Sequence, residues 1–151
     1  MTPQDFIAAI APAAQASAAT TKIPASFVIA EAALESGWGA SQLAQEGFNL
    51  FGVKADASWT GDVLAMYTRE FISGAWVSVP AKWRKYPDWL SCIQDHSAFL
   101  LDNPRYADCF ACVGVEAFVD AVAAAGYATD PDYAQKIMAV INGRNLTQFD
   151  A

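Results

Sequence analysis

The 151-residue sequence contains little charge, one histidine, three cysteines and no long hydrophobic run. No stretch approaches the ~18 consecutive apolar residues of a membrane-spanning helix, and the first segment lacks the basic region of a signal peptide. We therefore expect no membrane contact and synthesis in the cytoplasm without a signal peptide. A single histidine excludes histidine-rich metal sites, and no P-loop or dinucleotide fingerprint is present. We expect neither a metal nor a cofactor.

The cysteines and the charges exclude further classes of protein. Three cysteines cannot all pair within one chain, and Cys109-x-x-Cys112 lacks a second ligand pair for zinc, so we interpret Cys92, Cys109 and Cys112 as buried or incidental thiols. The net charge of −7 argues against nucleic acid as a partner. The segment 54–85 is nevertheless locally basic. It is either a solvated face that balances acidic surface or a wall that attracts a polyanion.

The hydrophobic pattern predicts helices, then short strands, then helices within a length that fits one domain. Helices are predicted over 3–18, from Pro24 to a cap at Gly37, and over 88–101, 115–125 and 131–142. Alternation between Phe51 and Lys85 predicts two or three antiparallel strands with loops near 57–61 and 73–80. The predicted fold is α+β and predominantly helical. A helical lobe (about 1–50 and 88–151) and a β lobe (about 51–87) would enclose a cleft.

Glu35 is the strongest candidate for chemistry. It lies in the last turn of the second predicted helix, where unpaired carbonyl groups disfavour a charged carboxylate. The apolar neighbour Trp38 adds a desolvation effect of the same sign. Both effects raise the pKa, as a general acid requires if it is to hold its proton near neutral pH. The alternative is an ordinary exposed glutamate beside a glycine cap.

Two further glutamates have open interpretations. Glu31 lies one turn before Glu35 on the same helix face, where it is either solvated, bonded to the first helix, or a carboxylate that raises the pKa of Glu35. Glu70 ends an alternating segment and could face Glu35 across the cleft to orient or activate a water molecule. An ion pair with a neighbouring base of the sheet is the alternative for Glu70.

The aromatic residues favour a binding surface for sugars. All five tryptophans lie between positions 38 and 89, and a flat aromatic face matches the C–H face of a sugar ring. We predict that Trp38 and Trp59 are exposed platforms and that Trp83 and Trp89 belong to the core. His96 lies inside a predicted helix and is interpreted as a packed or partly exposed residue rather than a catalytic base.

Four segments in fixed order carry a family resemblance. They are ALESGWG at 33–39, FNLFGVK at 48–54, NPRY at 103–106 and AGYATDPDYA at 125–134. Over essentially its whole length the chain resembles the glucosaminidase domain of glycoside hydrolase family 73. The resemblance implies a lysozyme-like fold and an endo-β-N-acetylglucosaminidase. Such an enzyme cleaves the β-1,4 bond between N-acetylglucosamine and N-acetylmuramic acid, so peptidoglycan glycan strands are the expected partner.

The resemblance also implies roles for individual residues. It assigns the general acid to Glu35, the second acidic residue to Glu70, and a tyrosine near the acid and the substrate to Tyr127. The substrate-binding residues expected along the cleft are Trp38, Asn49, Phe51, Trp59 and Tyr106. Glu31 departs from the family pattern, in which a neutral polar residue is expected, and this departure would shift the pH optimum.

Several alternatives stay open from the sequence. We expect a phage endolysin-like role in bacterial lysis, with action on the cell wall after holin-type release or delivery, and we expect a monomer. The same fold and acid would also serve an N-acetylmuramidase or a lytic transglycosylase. A non-catalytic wall-binding or tail-structural module is the alternative outside enzymes. Retaining, inverting and substrate-assisted mechanisms all remain compatible with the residues.

Overall fold

The chain folds into helices on either side of one β-hairpin. In the computed structural model, which describes residues 1–150, the α-helices are α1 (Pro3–Thr21), α2 (Ala25–Ser36), α3 (Gln42–Gly47), α4 (Trp89–Asp102), α5 (Val115–Ala124) and α6 (Tyr133–Gly143). The strands are β1 (Val63–Ile72) and β2 (Ala75–Arg84), and two 3-10 helices cover Pro104–Ala111 and Leu146–Phe149. This order confirms the predicted α+β fold.

Helix α2 forms the centre of the helical part. Its sequence is apolar on all sides, as expected of a helix surrounded by others, and only Leu34 and Glu35 are exposed. Helices α1, α5 and α6 and the C-terminal 3-10 helix pack around it. Residue Glu35 is therefore presented at the surface by a helix whose position is determined by core packing.

The predicted helices are confirmed to within a few residues. Helix α1 runs three residues further than predicted, to Thr21, where Lys22 takes a left-handed conformation as its cap. Helix α2 ends at the predicted cap, Gly37. The short α3 and the two 3-10 helices were not predicted, because elements of four to eight residues show too little periodicity. None of the helices in residues 1–150 is long and apolar enough to span a membrane.

The β segment is a single regular hairpin. The pairing runs from Val63 opposite Arg84 to Ile72 opposite Ala75. Ser73 and Gly74 form the turn with φ values of 52° and 82°, as a two-residue type I′ turn requires. The predicted loop over 73–80 is therefore wrong, since residues 75–80 belong to β2. Pro80 is tolerated in the middle of β2 although it has no N–H to donate. Each strand of a two-stranded sheet has one edge without a partner strand, and no hydrogen bond to a neighbour is needed on that edge.

The base of the hairpin is attached to the helical part through Asp95 of α4. One carboxylate oxygen of Asp95 accepts hydrogen bonds from Nη1 of Arg84 (2.8 Å) and from the hydroxyl of Tyr86 (2.6 Å). The Tyr86 backbone N–H donates to the carbonyl of Gly47 in α3 at 2.8 Å. These bonds place the start of β1 and the end of β2 beside α4.

Replacing Gly39 by alanine should lower the free energy of unfolding by about 2 kcal/mol. Gly39 has φ of +80°, a conformation that costs residues with a Cβ ~1–2 kcal/mol, and a Cβ there would lie 2.8 Å from Cδ2 of Phe6. Urea denaturation measures the change. The control is Gly143→Ala at the end of α6, where a Cβ meets nothing within 4 Å. Equal losses in the two variants would contradict the prediction.

Candidate active site

The chain turns sharply directly after Glu35. Gly37, Trp38 and Gly39 all have positive φ, at 58°, 58° and 80°. The Ser36 hydroxyl donates to the carbonyl of Ala32 at 2.5 Å and accepts from the Gly39 N–H at 2.9 Å, which closes the helix end. The sequence Glu-Ser-Gly-Trp-Gly thus ends the helix just past the acid, so that no further helical turn covers Glu35.

The Glu35 side chain is free of intramolecular partners. It makes no hydrogen bond or ion pair with any other residue in the range 1–150. It reaches solvent, yet partial burial still raises its pKa above the ordinary value. An accessible carboxyl that holds its proton more tightly than usual can donate that proton to a substrate oxygen.

Glu31 is buried, and it is neither solvated nor bonded to α1. Only 2% of the residue is exposed. The hydroxyl of Tyr127 donates to Oε1 at 2.7 Å and the hydroxyl of Tyr133 donates to Oε2 at 2.6 Å. Burial raises the pKa of Glu31 to about 7, although these two hydrogen bonds act in the opposite direction. The second acid of α2 therefore belongs to a buried hydrogen-bonded group.

Tyr127 connects Glu31 to an aromatic cluster. Its hydroxyl lies 3.0 Å from Nε2 of His96, and the His96 ring stacks on Phe51 with ring centroids 4.0 Å apart. Tyr106 packs edge-on against Tyr127 at 6.1 Å. Burial lowers the pKa of His96 to about 4, so its ring is neutral near pH 7. Three residues named by the sequence, Phe51, Tyr106 and Tyr127, are thus brought together.

Replacing Glu31 by glutamine should remove a loss of stability that occurs as the pH rises from 4.5 to 7. The opposite effect of His96, whose lowered pKa stabilises the fold as the pH rises over nearly the same range, should then remain. The pKa of Glu31 rises from 4.5 to about 7 on folding, so the folded protein binds this proton more tightly. The contribution of Glu31 to stability is therefore greatest below pH 4.5 and is lost as the pH rises through 7, by up to about 3 kcal/mol. Urea denaturation at pH 5 and pH 8 measures this difference in the wild type, in Glu31→Gln, and in the control Glu116→Gln. A difference in unfolding free energy between the wild type and Glu31→Gln that is the same at pH 5 and pH 8 would contradict the assignment.

Asn49 supports the wall of the site from inside. The residue is 1% exposed, so its amide has almost no contact with solvent. Its Nδ2 donates to the carbonyls of Val53 and Arg84, both at 2.9 Å, and its Oδ1 accepts from the Val53 N–H at 3.1 Å. These bonds shape the loop that carries Phe51 and join it to the end of β2.

Glu70 lies on the hairpin face that also carries Trp83. Residues of β1 at even positions from Leu64 to Glu70 are half-buried, whereas those at odd positions are exposed. Nζ of Lys54 lies 3.5 Å from Oε1 of Glu70, in an ion pair whose side chains are 57% and 43% exposed. Such an exposed ion pair contributes little to stability, and the Glu70 carboxylate remains accessible to solvent. The predicted position of Glu70 opposite Glu35 stays a prediction.

The two tryptophans predicted as platforms contact other parts of the fold. Trp38 lies edge-on to Phe6 of α1, and the guanidinium of Arg144 lies over its ring at 5.2 Å. Trp59 has the guanidinium of Arg84 over its ring at 4.8 Å, and its Nε1 donates to the Asp62 carbonyl. Both tryptophans are half-buried.

The basic segment 54–85 and the three thiols are partly explained by local contacts. Lys54 pairs with Glu70, and Arg84 pairs with Asp56 and Asp95, so part of the positive charge is balanced within and next to the hairpin.

The three cysteines are free, with two buried and one half-buried, as predicted. No group of three or more metal-ligating side chains occurs among the residues that the structure describes.

The surface has two concavities, which are lined by different residues. One of about 190 Å³ lies beside the aromatic cluster and is lined by Phe51, Val53, Arg84, Asp95, His96 and Phe99. A larger one of about 590 Å³ is lined by the end of α1, residues 109–118 and the C-terminal segment. The larger one is lined by none of the predicted site residues, whereas the smaller one is lined by Phe51.

Comparison with known proteins identifies the family. The family described as mannosyl-glycoprotein endo-beta-N-acetylglucosaminidase matches residues 11–146, which include every predicted site residue. The chain belongs to this glucosaminidase family. The family resemblance carried by the four sequence segments is thereby confirmed, and the chain is a member of a family of glycoside hydrolases.

The relatives of this glucosaminidase include peptidoglycan hydrolases. It is 40% identical to peptidoglycan hydrolase FlgJ of Salmonella typhimurium over 142 residues, which cover 91% of this chain and 45% of that protein. It is 35% identical over 130 residues to exo-glucosaminidase LytG of Bacillus subtilis, covering 83% of this chain and 45% of that protein. The chain thus spans less than half the length of these two relatives.

Solved structures confirm the predicted hydrolase fold of the glucosaminidase. The C-terminally truncated glycoside hydrolase domain of Salmonella typhimurium FlgJ matches with a TM-score of 0.85 and 38% identity, over 96% of this chain and 99% of that one. The catalytic domain of the autolysin Auto from Listeria monocytogenes matches with a TM-score of 0.88 and 31% identity, over 98% and 87%.

Sequence reasoning missed two members of the glucosaminidase site. Tyr133 lies in the segment 125–134 but was given no role, and His96 was interpreted as a packed or partly exposed residue rather than a catalytic base. Both belong to the group around Glu31, through the Tyr133 hydroxyl and through the contact of His96 with Tyr127. A buried glutamate needs donors, so a prediction that Glu31 was buried would have prompted a search for such partners.

Proposed function

We propose that this glucosaminidase is an endo-β-N-acetylglucosaminidase that hydrolyses the β-1,4 bond between N-acetylglucosamine and N-acetylmuramic acid in peptidoglycan. The observation that carries the proposal is Glu35. It is accessible at the end of a buried helix, has no hydrogen-bond or ion-pair partner among residues 1–150, and holds its proton more tightly than an ordinary glutamate. Membership of the family and the similarity to a peptidoglycan hydrolase and an exo-glucosaminidase support the proposed substrate.

In the proposed reaction, Glu35 protonates the glycosidic oxygen as the bond to the anomeric carbon breaks. A water molecule then supplies the hydroxyl of the new reducing end, and its proton passes to a carboxylate. We assign this second role to Glu70, which lies on the half-buried face of the hairpin and keeps 43% of its side chain exposed. Tyr127 completes the proposed catalytic group because its hydroxyl contacts Glu31, one helical turn from Glu35.

The proposed substrate-binding residues fall into two groups. Phe51, Tyr106 and Asn49 are almost fully buried and would act by shaping the wall of the cleft. The half-buried rings of Trp38 and Trp59 would offer partial faces to sugar units further from the cleaved bond. Conversion of either tryptophan to alanine therefore tests affinity for long glycans rather than the reaction itself.

Mass spectrometry of digested, borohydride-reduced peptidoglycan tests the proposal. Reduced N-acetylglucosamine ends made by the wild type would support it. Reduced N-acetylmuramic acid ends would identify a muramidase, and anhydro sugars a lytic transglycosylase. Wall binding without any new end would identify a binding module. Proton NMR of the first product would separate retention from inversion at the anomeric carbon.

A role in bacterial lysis by a phage, with release by a holin or a delivery machine, stays a prediction. The relatives named here are a peptidoglycan hydrolase, an exo-glucosaminidase and an autolysin. Expression of the chain in bacteria with and without a holin tests the prediction. Lysis that depends on the holin would support it, whereas efficient export of the chain alone would contradict it.

A further inference from the structure

The free end of the hairpin carries an exposed apolar cluster. Six of the eleven large hydrophobic residues that are exposed in residues 1–150 lie on β1 and β2. Four of these six flank the turn, and we call them the hairpin tip: Phe71, Ile72, Trp76 and Val77. The rings of Phe71 and Trp76 have centroids 5.4 Å apart. Exposed apolar clusters mark surfaces that contact another protein or a membrane.

Both faces of the hairpin tip are apolar. Phe71 pairs with Trp76 on one face, and their exposed fractions are 62% and 63%. Ile72 and Val77 lie on the opposite face, because side chains alternate along a strand. A platform for a sugar ring needs one flat face, so the apolar residues of the second face would have no function there. A tip that is apolar on both faces suits insertion into the surface layer of a lipid bilayer, where tryptophan is enriched.

The unpaired positive charges of the hairpin lie behind the tip. Arg69 and Lys82 are exposed on the face that carries the two aromatic rings, and neither has an ion-pair partner among residues 1–150. Glu70 is the one acid between positions 63 and 84, and Lys54 lies 3.5 Å from it. The whole chain has a net charge of −7. An anionic surface would therefore repel most of the protein and attract the hairpin.

The spacing along the strands fits the depth of the bilayer surface layer. An antiparallel strand rises ~3.4 Å per residue, so Arg69 lies roughly 10 Å behind Ile72. Amphipathic elements that bind at a membrane surface bury their apolar side by ~5–10 Å. Insertion to that depth would bring Arg69 to the lipid phosphates. Because the insertion is shallow, the backbone groups along the two outer edges of the sheet would stay within reach of water and headgroups.

We propose that the hairpin tip binds the surface of membranes that contain anionic phospholipids. The four residues of the tip enter the surface layer, and Arg69 and Lys82 bind the lipid phosphates. A surface hairpin needs no spanning helix, so the expectation of no membrane contact, which rested on hydrophobic length, does not extend to it. The binding is independent of the proposed reaction, because none of these residues has a role in catalysis or in the binding of the glycan.

Flotation with lipid vesicles tests the proposal. The wild type should bind vesicles of phosphatidylethanolamine and phosphatidylglycerol, and should bind phosphatidylcholine vesicles much more weakly. Trp76→Ser should lower the partition coefficient on the anionic vesicles about tenfold, because a large aromatic side chain no longer leaves water. The control Leu101→Ser removes an exposed apolar side chain from α4 and should bind like the wild type. A wild type that does not bind, or equal binding by Trp76→Ser, overturns the proposal.

Arg69→Gln and Lys82→Gln test the contribution of charge. Each should lower binding to the anionic vesicles about fivefold, the effect of one base near an anionic membrane surface. Binding to phosphatidylcholine should not change. The control Lys22→Gln removes an exposed base at the end of α1, far from the hairpin in sequence, and should have little effect. Equal losses in all three variants would show that net charge alone governs binding, and would contradict the proposal.

Trp76→Phe tests whether the tip itself enters the lipid. Brominated lipids in the vesicles should quench part of the tryptophan fluorescence of the wild type. In Trp76→Phe this quenching should disappear while flotation persists, because phenylalanine keeps an aromatic side chain at the tip. The test remains valid even if Trp76→Ser loosens the hairpin. Quenching of equal size in Trp76→Phe would place another surface of the protein against the lipid, which overturns the proposal.

Two other occupants of the tip predict different results. A platform for glycans predicts that Trp76→Ser weakens binding to purified peptidoglycan and leaves vesicle binding unchanged. A second copy of the chain predicts a dimer in analytical ultracentrifugation that dissociates in Trp76→Ser. Either result would reject the membrane proposal. Loss of vesicle binding in Trp76→Ser with unchanged cleavage of purified peptidoglycan would support it, and a wild type that binds vesicles but releases no sugar ends would reject the proposed function alone.

Discussion

Replacement of Glu35 by glutamine should lower kcat for glycan cleavage by a factor on the order of 10³, within the range that general acid catalysis contributes. Glutamine keeps the size of the side chain but has no proton to give to the leaving oxygen. KM should change little, because the lost interaction belongs to the transition state. The rate at which new reducing ends appear in purified peptidoglycan measures the effect.

The fold should be unaffected by this substitution. Glu35 is exposed and has no partner in residues 1–150, so nothing buried depends on its charge. Thermal denaturation should give nearly the same midpoint for Glu35→Gln and the wild type. The matched variant Glu116→Gln, at an exposed site on α5, should keep full activity. Near-normal cleavage by Glu35→Gln would falsify the assignment of the acid.

Replacement of Asn49 by alanine should lower the free energy of unfolding by about 3–5 kcal/mol. The change leaves the Val53 N–H and the Arg84 carbonyl without a partner, and the Val53 carbonyl keeps only the hydrogen bond from the Arg84 N–H at 3.1 Å. Each buried group left unpaired costs ~1–3 kcal/mol, and the expected sum is a large part of the ~5–15 kcal/mol that stabilises a typical domain. Urea denaturation measures the change, and the melting temperature should fall by roughly 10 °C.

The control for Asn49→Ala is Asn142→Ala. Asn142 lies on α6 with an exposed side chain and should tolerate the change within ~0.5 kcal/mol. Asn49→Ala should also loosen the loop that stacks Phe51 on His96, so activity should fall with stability. Wild-type stability in Asn49→Ala would show that the three hydrogen bonds contribute nothing, and would leave direct substrate contact as the role of Asn49.

The helices and Glu35 were predictable because their determinants are local. The apolar pattern of α2 and the glycine after Ser36 are sufficient to end the helix at the observed residue and to place the acid in its last turn. The hairpin was less predictable. Ser73 and Gly74 are residues typical of a turn, but Pro80 argues against a continuous strand over 75–84. Proline is tolerated there because the sheet has only two strands, so each strand keeps one edge without a partner.

The burial of Glu31 was not predictable from spacing. Glu31 and Glu35 lie four residues apart on one helix and look equivalent in sequence. One is covered by Tyr127 and Tyr133, which lie about 100 residues further along the chain, and the other lies where α2 leaves the core. The role of Asn49 was likewise not predictable. A polar residue in a family motif can bind the substrate or form hydrogen bonds with the backbone, and the sequence does not distinguish the two.

The sequence by itself determined the family, the α+β class, the helix that carries Glu35 and the presence of antiparallel strands after it, because motif order, periodicity and caps act over a few residues. Only the tertiary structure decided that Glu31 is buried between two tyrosines, that His96 joins them, and that Asn49 bonds to the backbone. Those facts depend on contacts between segments far apart in the chain, and such contacts leave no mark in local spacing.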